Sequence, residues 1–368
     1  MVNNNLKQNI SNLGRGIKAF SRLCLARARH EYIPWYLFFL ITERCNMRCE
    51  YCYADIPNRM KDPSRKIKEW STQEIFRIID EFYCLGTRYL NIQGGEPLLR
   101  QDLEEIIDYA NNKGMLTDIF TNGLLIDKQL NALKKLSRIT ISLEGDEAAH
   151  DRDRGKGTYQ KIVENMRLLY ENNLKFTINY TITRNNADVI SLKHVLELAQ
   201  KYNSLVGTGE AIIRLDPGLA DRLVANNKLR EFWQEVRQLK LQGYPLQKSL
   251  KSIDFCIESL DFVTGKDFYN EGDPLPYDKK IYPCGMGKYC AYLDADGMLY
   301  PCANQFGRIG KNIFEFGAKS AWEHVNRHTK CYICRDSISG GVNYFFSLDF
   351  NTVMQAARHY FKVYFRAK

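Results

Sequence analysis

At 368 residues with 45% hydrophobic content, the chain is long enough for two domains, or one large domain with an appendage, and has ample material for a core. Its 11 cysteines are an odd number, clustered in C-x2-C and C-x3-C spacings with no signal peptide, which favours metal binding in a reducing, cytoplasmic compartment over a disulfide framework. The longest apolar run, Tyr36 to Ile41, is too short to span a bilayer. The net charge of +9 belongs to the two ends: residues 1–30 hold six basic and no acidic residues, residues 355–368 hold four and none, and the rest sums to −1.

In chain order, residues 1–35 read as a basic amphipathic helix, with Leu13, Ile17, Phe20 and Cys24 on one face and Arg15, Lys18, Arg22 and Arg29 opposite. Trp35 to Thr42 is a continuous aromatic and aliphatic run, as expected of a doubly buried parallel strand. Ser71-Thr72-Gln73-Glu74 has capping-box spacing, and Ile75, Ile78, Ile79 and Phe82 behind it recur at helical intervals. Tyr89 to Gln93 makes a second strand. Leu103, Ile106, Ile107 and Ala110 line a helix that stops at Gly114. Met115 to Thr121, Arg138 to Leu143, Phe176 to Thr183 and Ala211 to Leu215 supply four further strands, with amphipathic helices between them. The expected fold is α/β, a partial (βα)6 TIM-like barrel over 36–215. A bridging segment over 216–280 follows, in which Leu229, Phe232, Trp233 and Val236 share a helix face. Residues 281–336 read as a small β-hairpin and helix domain turning at Asp296-Gly297. Residues 337–368 read as a basic, aromatic C-terminal helix, with Met354, Ala357, Tyr360, Phe361, Tyr364 and Phe365 on one face beside Arg358, Lys362 and Arg366.

Every candidate motif falls on a loop leaving the carboxyl end of a strand, where α/β barrels place their chemistry. Cys45, Cys49 and Cys52 follow the first strand in the spacing C-x3-C-x2-C. An iron-sulfur cube normally takes four thiolates, so three leave one iron open; a structural zinc site and a chance cluster are the competing readings. Gly94-Gly95-Glu96-Pro97 follows the second strand, Thr121-Asn122-Gly123 the third, and Ser142-Leu143-Glu144-Gly145 the fourth. Paired glycines allow close backbone approach to a ligand, and an adjacent carboxylate suits an ammonium group. A second cysteine set, Cys284, Cys302, Cys331 and Cys334, has the pattern C-x12-G-x4-C followed by C-x2-C, with a four-cysteine zinc ribbon as its rival. Cys290 inside the hairpin reads as a sheet residue, and Cys256 as a buried apolar one.

The motif Cys-Asn-Met-Arg-Cys-Glu-Tyr-Cys resembles the signature of the radical S-adenosylmethionine (SAM) superfamily, and the GGEP, Ser142 to Gly145 and His150 to Gly155 segments resemble its SAM-binding loops. The resemblance covers roughly residues 36–336. It implies a SAM-binding 4Fe-4S cluster on Cys45, Cys49 and Cys52, and SAM contacts from Tyr51, Gly94, Gly95, Glu96, Asn122, Ser142, Glu144 and Arg154. The family usually has Asp where this chain has Glu144. The second cysteine set is similar to a Twitch domain, the shortened SPASM domain, which implies an auxiliary 4Fe-4S cluster on Cys284, Cys302, Cys331 and Cys334. Implied with it are reductive SAM cleavage to a 5′-deoxyadenosyl radical, hydrogen abstraction from substrate, and a reducing partner such as flavodoxin or ferredoxin. Only 35 residues precede the first strand, less than a leader-binding module, so a non-peptide substrate is expected: a small molecule, a sugar or a lipid, in a two-electron oxidation. A SPASM-type peptide maturase is the alternative within the class, and a non-catalytic iron-sulfur or zinc protein the alternative outside it. The two basic ends are expected to touch an anionic membrane surface, with delivery of a lipid or lipid-linked substrate; nucleic acid is not expected.

Overall fold

The computed structural model describes residues 2–62, 69–211, 224–262, 268–270, 272–273, 283–334, 343–349 and 353–354. After α1 (Val2–Ala28) the chain alternates β1 (Tyr36–Leu40), α2 (Ile56–Lys61) and α3 (Thr72–Leu85), β2 (Tyr89–Gln93), α4 (Leu103–Asn112), β3 (Leu116–Thr121), α5 (Leu130–Leu133), β4 (Arg138–Ser142), α6 (Glu147–Arg154) and α7 (Thr158–Glu171), β5 (Phe176–Ile182), α8 (Val189–Lys201) and β6 (Leu205–Glu210). Neighbours from β1 to β6 are parallel and stand in chain order, the partial barrel expected from the sequence. Leu37, Phe39, Ile92, Ile119, Ile141 and Ile178 alternate to the helical side and are fully buried in the main core. The other set of alternate side chains turns inward and includes a polar group. Tyr36 Oη donates to Asp118 at 3.0 Å, Asn91 Nδ2 donates to Tyr36 Oη at 3.0 Å, and Arg138 Nη2 donates to Asp118 at 2.6 Å.

Beyond β6 come α9 (Asn226–Leu241), α10 (Leu250–Phe262), β7 (Phe268–Asn270), β8 (Cys290–Leu293), β9 (Met298–Tyr300), β10 (Lys311–Asn312), α11 (Ile313–His328) and β11 (Cys331–Cys334). The Asp296-Gly297 turn joins β8 to β9 as read from the sequence, with Leu293 opposite Leu299. The hairpin belongs to the barrel's own sheet. β8 runs parallel beside β1, Tyr36 opposite Cys290 and Phe38 opposite Tyr292, giving a sheet of nine strands among the described residues, while β7 and β11 form a separate antiparallel pair.

Two expectations need correction. The sixth strand is Leu205–Glu210; Ala211 lies past its end and 212–215 outside the described residues. In α1 the face against the body is Asn12, Ala19, Leu23 and Ala26, small residues that let the helix sit close enough for Trp35 Nε1 to donate to the Ala19 carbonyl at 2.7 Å. Arg15 anchors it by donating to the Met115 carbonyl at 2.7 Å and to Asn111. Ile17 is 59% exposed. In the C-terminal segment, all of the expected face beyond Met354 lies outside the described residues. Among the described residues, no helix is long and apolar enough to cross a membrane.

Candidate active site

Past the last residue of β1 the two parallel chains stay zipped together. Ile41 N–H donates to the Gln93 carbonyl at 2.9 Å, Gly95 N–H to Thr42 at 2.8 Å and Glu96 N–H to Arg44 at 2.8 Å. A side chain at Gly95 would begin 2.2 Å from the Arg44 carbonyl oxygen and 2.9 Å from Cys45 Cβ, and one at Gly94, whose φ is +151°, 2.5 Å from the Thr42 carbonyl. The close approach that these glycines permit is therefore to the cysteine loop itself. Glu96 is fully buried and accepts from Leu98 N–H at 3.0 Å, Thr121 Oγ1 at 2.7 Å and Asn122 N–H at 2.8 Å. Asn122 Nδ2 in turn donates to Asn46 at 2.7 Å. The loops after β2 and β3 thus grip the cysteine loop at Thr42, Arg44 and Asn46.

Burial pushes the Cys45 thiol up to about 12 against the Met47 N–H that donates to it, with Glu96, Cys49 and Cys52 adding to the rise. Burial likewise raises Cys49 to about 11, opposed by Arg154. It also raises Cys52, opposed by the N–H groups of Ile56 and Ala54. Three half-buried thiols that sense one another stay protonated until a cation replaces their protons. Among the described residues, no three His, Cys, Asp or Glu side chains converge on a single-ion site. The donor set itself, three soft thiols on one loop, fits an iron-sulfur cluster.

Across the pocket, β4 ends at Ser142, half-buried and opposite Asn179, and Glu144 lies fully buried two residues on. Its carboxylate takes the fork of Arg154, with Nη2 to Oε1 at 2.9 Å and Nε to Oε2 beside it. His150 Nδ1 stands 3.3 Å from Oε2. Burial alone would raise Glu144, but Arg154 and His150 override it and hold the carboxyl at about 2. The longer Glu side chain, where the family pattern has Asp, is the reach that closes this pair. Arg154 also lies 5.5 Å over the Tyr51 ring, with Nη1 4.0 Å from Met47 Sδ. Tyr51, Glu144 and Arg154 therefore form a wall beside Cys49 within the chain.

The second cysteine set lies at the other end of β1. Cys284 and Cys290 are 5% and 1% exposed, and burial raises the Cys290 thiol with Cys284 and Cys302 adding to it. Cys284 N–H donates to the Tyr332 carbonyl at 2.8 Å, which sets it beside the C-x2-C of β11. Gln305 Nε2 donates to Cys331 Sγ at 3.5 Å. Cys290 is in the sheet, as expected, yet it is also a third thiol beside Cys284 and Cys302, a neighbour that reading it as sheet packing alone missed. The available signal was its position six residues after Cys284 at the start of a strand. Aromatic rings fill the space between the two sets: Phe38 stacks on Tyr292 at 4.1 Å, and Tyr53, next to Cys52, meets Tyr292 at 6.5 Å and Phe306 at 6.0 Å.

Residues 39–196, from β1 through most of α8, match the profile of the Radical SAM superfamily. The barrel is a radical SAM domain. Proteins of this superfamily use a 4Fe-4S cluster and SAM. The chain is similar to the Fe-coproporphyrin III synthase of Methanosarcina barkeri, 30% identical over 56% of this chain and 53% of that protein, so it spans about half the length of that relative. It is also similar to the mycofactocin maturase MftC of Mycolicibacterium smegmatis, 29% identical over 79% of this chain and 70% of the other. Streptococcus suis SuiB bound to precursor peptide SuiA has the same fold, with a TM-score of 0.60 at 15% identity over 84% of this chain and 70% of that one.

Proposed function

We propose that the chain is a radical SAM enzyme acting on a polar, non-peptide small molecule or lipid-linked substrate, with net two-electron oxidation as its simplest outcome. The single observation that carries the reading is the grip of the GGE and TNG loops on the loop that bears three thiols at the carboxyl end of β1. Cys45, Cys49 and Cys52 would hold the cluster. Tyr51, Gly94, Gly95, Glu96, Asn122, Ser142, Glu144 and Arg154 would contact SAM beside it. Cys284, Cys302, Cys331 and Cys334 would hold the auxiliary one, with the Cys290 thiol beside them. When bound, the cluster and SAM supply the electron and the 5′-deoxyadenosyl radical that takes a hydrogen atom from substrate. The chain orients the reactants and excludes water and free thiols that would quench a radical.

The inward polar row of Tyr36, Asn91, Gln93, Asp118 and Arg138 supports a hydrogen-bonding substrate. A fold shared with a peptide-bound protein keeps the peptide maturase as the second reading. Ile10, Ile17 and Leu25 stand out from α1 at 56%, 59% and 43% exposure, with exposed Lys18 and Arg29 nearby. That outer face would meet an anionic bilayer surface, a location compatible with electron supply by a flavodoxin or ferredoxin. The deciding experiment is anaerobic iron-sulfur reconstitution followed by reduction with SAM. About eight irons per chain are expected, two cubes of four, together with release of 5′-deoxyadenosine. Its absence from iron-replete protein would sink the enzyme reading, and zinc in the second set would sink the auxiliary-cluster assignment.

A further inference from the structure

Glu69 belongs to none of the motifs, yet its carboxylate joins the entry of the cysteine loop to the segment that follows the paired glycines. Oε1 accepts from Thr42 Oγ1 at 2.6 Å. Oε2 lies 3.3 Å from Arg44 Nη2 and 3.5 Å from Arg100 Nη1. Thr42 is fully buried and its hydroxyl has one hydrogen to give. Because that hydrogen goes to Glu69, the oxygen is left to accept, and Arg44 N–H donates to it at 3.0 Å. Glu69 thereby fixes the turn that leads into Cys45.

Arg100 completes the arrangement. It ends the run that starts at Gly94 and is buried, donating to the Ile41 carbonyl at 3.1 Å and to the Trp70 carbonyl at 2.9 Å. Asp102 takes its Nε and Nη2 at 2.9 and 2.6 Å. From the same run, Gly95 N–H and Glu96 N–H donate to the Thr42 and Arg44 carbonyls. The hydrogen bonds therefore form a closed collar about residues 42–44, from the GGE loop through Arg100 and Glu69 back to Thr42. The Arg100 charge is met by Asp102, whereas Glu69 is the carboxylate that Arg44 meets among the described residues. At 50% and 31% exposure the Arg44–Glu69 pair adds little stability of its own. Its value lies in where it holds a cation, one residue before Cys45.

We propose that Glu69 is a positioning residue: it clasps the collar at the foot of the cysteine loop and balances the Arg44 charge beside the first thiol. A cluster becomes more negative on reduction, so an unbalanced cation next to it stabilises the reduced state and raises the potential. With Glu69 in place the SAM-side cluster is the stronger reductant. The redox half of the test rests on the function proposed above; the exchange half does not.

Glu69→Ala removes the clasp altogether. In Glu69→Gln the amide oxygen can still accept from Thr42, but the charge is gone and the NH2 group faces the donors of Arg44 and Arg100. In the iron-free full-length protein, amide exchange at Arg44, Gly95 and Glu96 should quicken about tenfold in Glu69→Ala and by less in Glu69→Gln. In reconstituted protein at low salt, Glu69→Gln should move the SAM-side cluster about tenfold toward reduced at a fixed potential, about 59 mV more positive for one electron, in an EPR-monitored titration. Adding Arg44→Gln restores the charge balance and should return the midpoint to the parent value. If Glu69→Ala does not fold, the exchange of Glu69→Gln carries that half. Unchanged exchange, an unchanged midpoint with iron retained, or a double variant no nearer the parent than Glu69→Gln alone overturns the proposal. Failure of the parent protein to take up iron counts against the proposed function alone, and the exchange result still decides this one.

Discussion

Glu96→Gln tests the electrostatics of the GGE loop most directly. Burial raises the Glu96 carboxyl from 4.5 to about 6 against the pull of the Asn122 and Leu98 N–H groups and the Thr121 hydroxyl. The folded protein therefore holds this proton more tightly than the unfolded chain does. The associated stability is complete below 4.5 and is lost as pH rises through about 6; one and a half units amount to about 2 kcal/mol. In the amide variant the penalty disappears, but its NH2 group must face either the Asn122 or the Leu98 N–H, and one orphaned backbone donor costs about 1–3 kcal/mol. The two nearly cancel at neutral pH. At acid pH the variant should be the less stable, and the stability difference between wild type and variant should shrink by about 2 kcal/mol between pH 4.5 and 7. Urea denaturation of both iron-free proteins across that range measures it, and a difference that does not change with pH would refute the reasoning. Three donors occupy three of about four lone-pair sites on the carboxylate, and in the proposed function the SAM ammonium would take the fourth. SAM affinity measured by calorimetry should then fall by about 1.5–3 kcal/mol.

Gly95→Ala places a methyl 2.2 Å from the Arg44 carbonyl and 2.9 Å from Cys45 Cβ. It should cost about 1–3 kcal/mol and reduce iron uptake at the first cysteine set, so a folded variant with full iron would contradict the close-approach role. Arg154→Gln strands the buried Glu144 carboxylate and should cost about 3–5 kcal/mol by urea denaturation, most of it recovered in the Glu144→Gln, Arg154→Met double variant; a neutral single variant would show that the pair is not desolvated. Replacing Ile10, Ile17 and Leu25 together by Asp should abolish co-sedimentation with anionic vesicles at low salt, and equal, negligible binding by parent and variant would remove the membrane contact from the proposal.

The loops that carry chemistry were legible because they are punctuated. The paired glycines, the capping box at Ser71 to Glu74 and the Asp296-Gly297 turn each need a particular backbone, and each lies where its residues indicate. The sixth strand was misplaced because Leu205-Val206-Gly207-Thr208-Gly209 carries two glycines, which weaken a strand signal. Partners distant in sequence were not legible at all. Nothing local to Glu43, Arg59 or Asp294 marks them as one group, and nothing in the motifs marked Glu144 and Arg154 as partners of one another. In α1 the apolar stripe was visible but its direction was not, because Ala19 and Ala26 secure the close approach through their small size.

β1 has β2 on one side and β8 on the other, so the strand that launches the cysteine loop acquires its second neighbour only when residues 290–293 emerge from the ribosome. At about 5–20 residues per second that interval lasts roughly tens of seconds. During it a strand of Tyr, Leu and Phe presents an open row of N–H and C=O groups, the condition under which strands recruit the wrong partner. A fragment ending at residue 262 would keep all six strands of the barrel and every residue of the SAM-side loop, yet expose that edge permanently. It should associate with itself, and iron delivered to it would meet a loop whose supporting strand is paired on one side only.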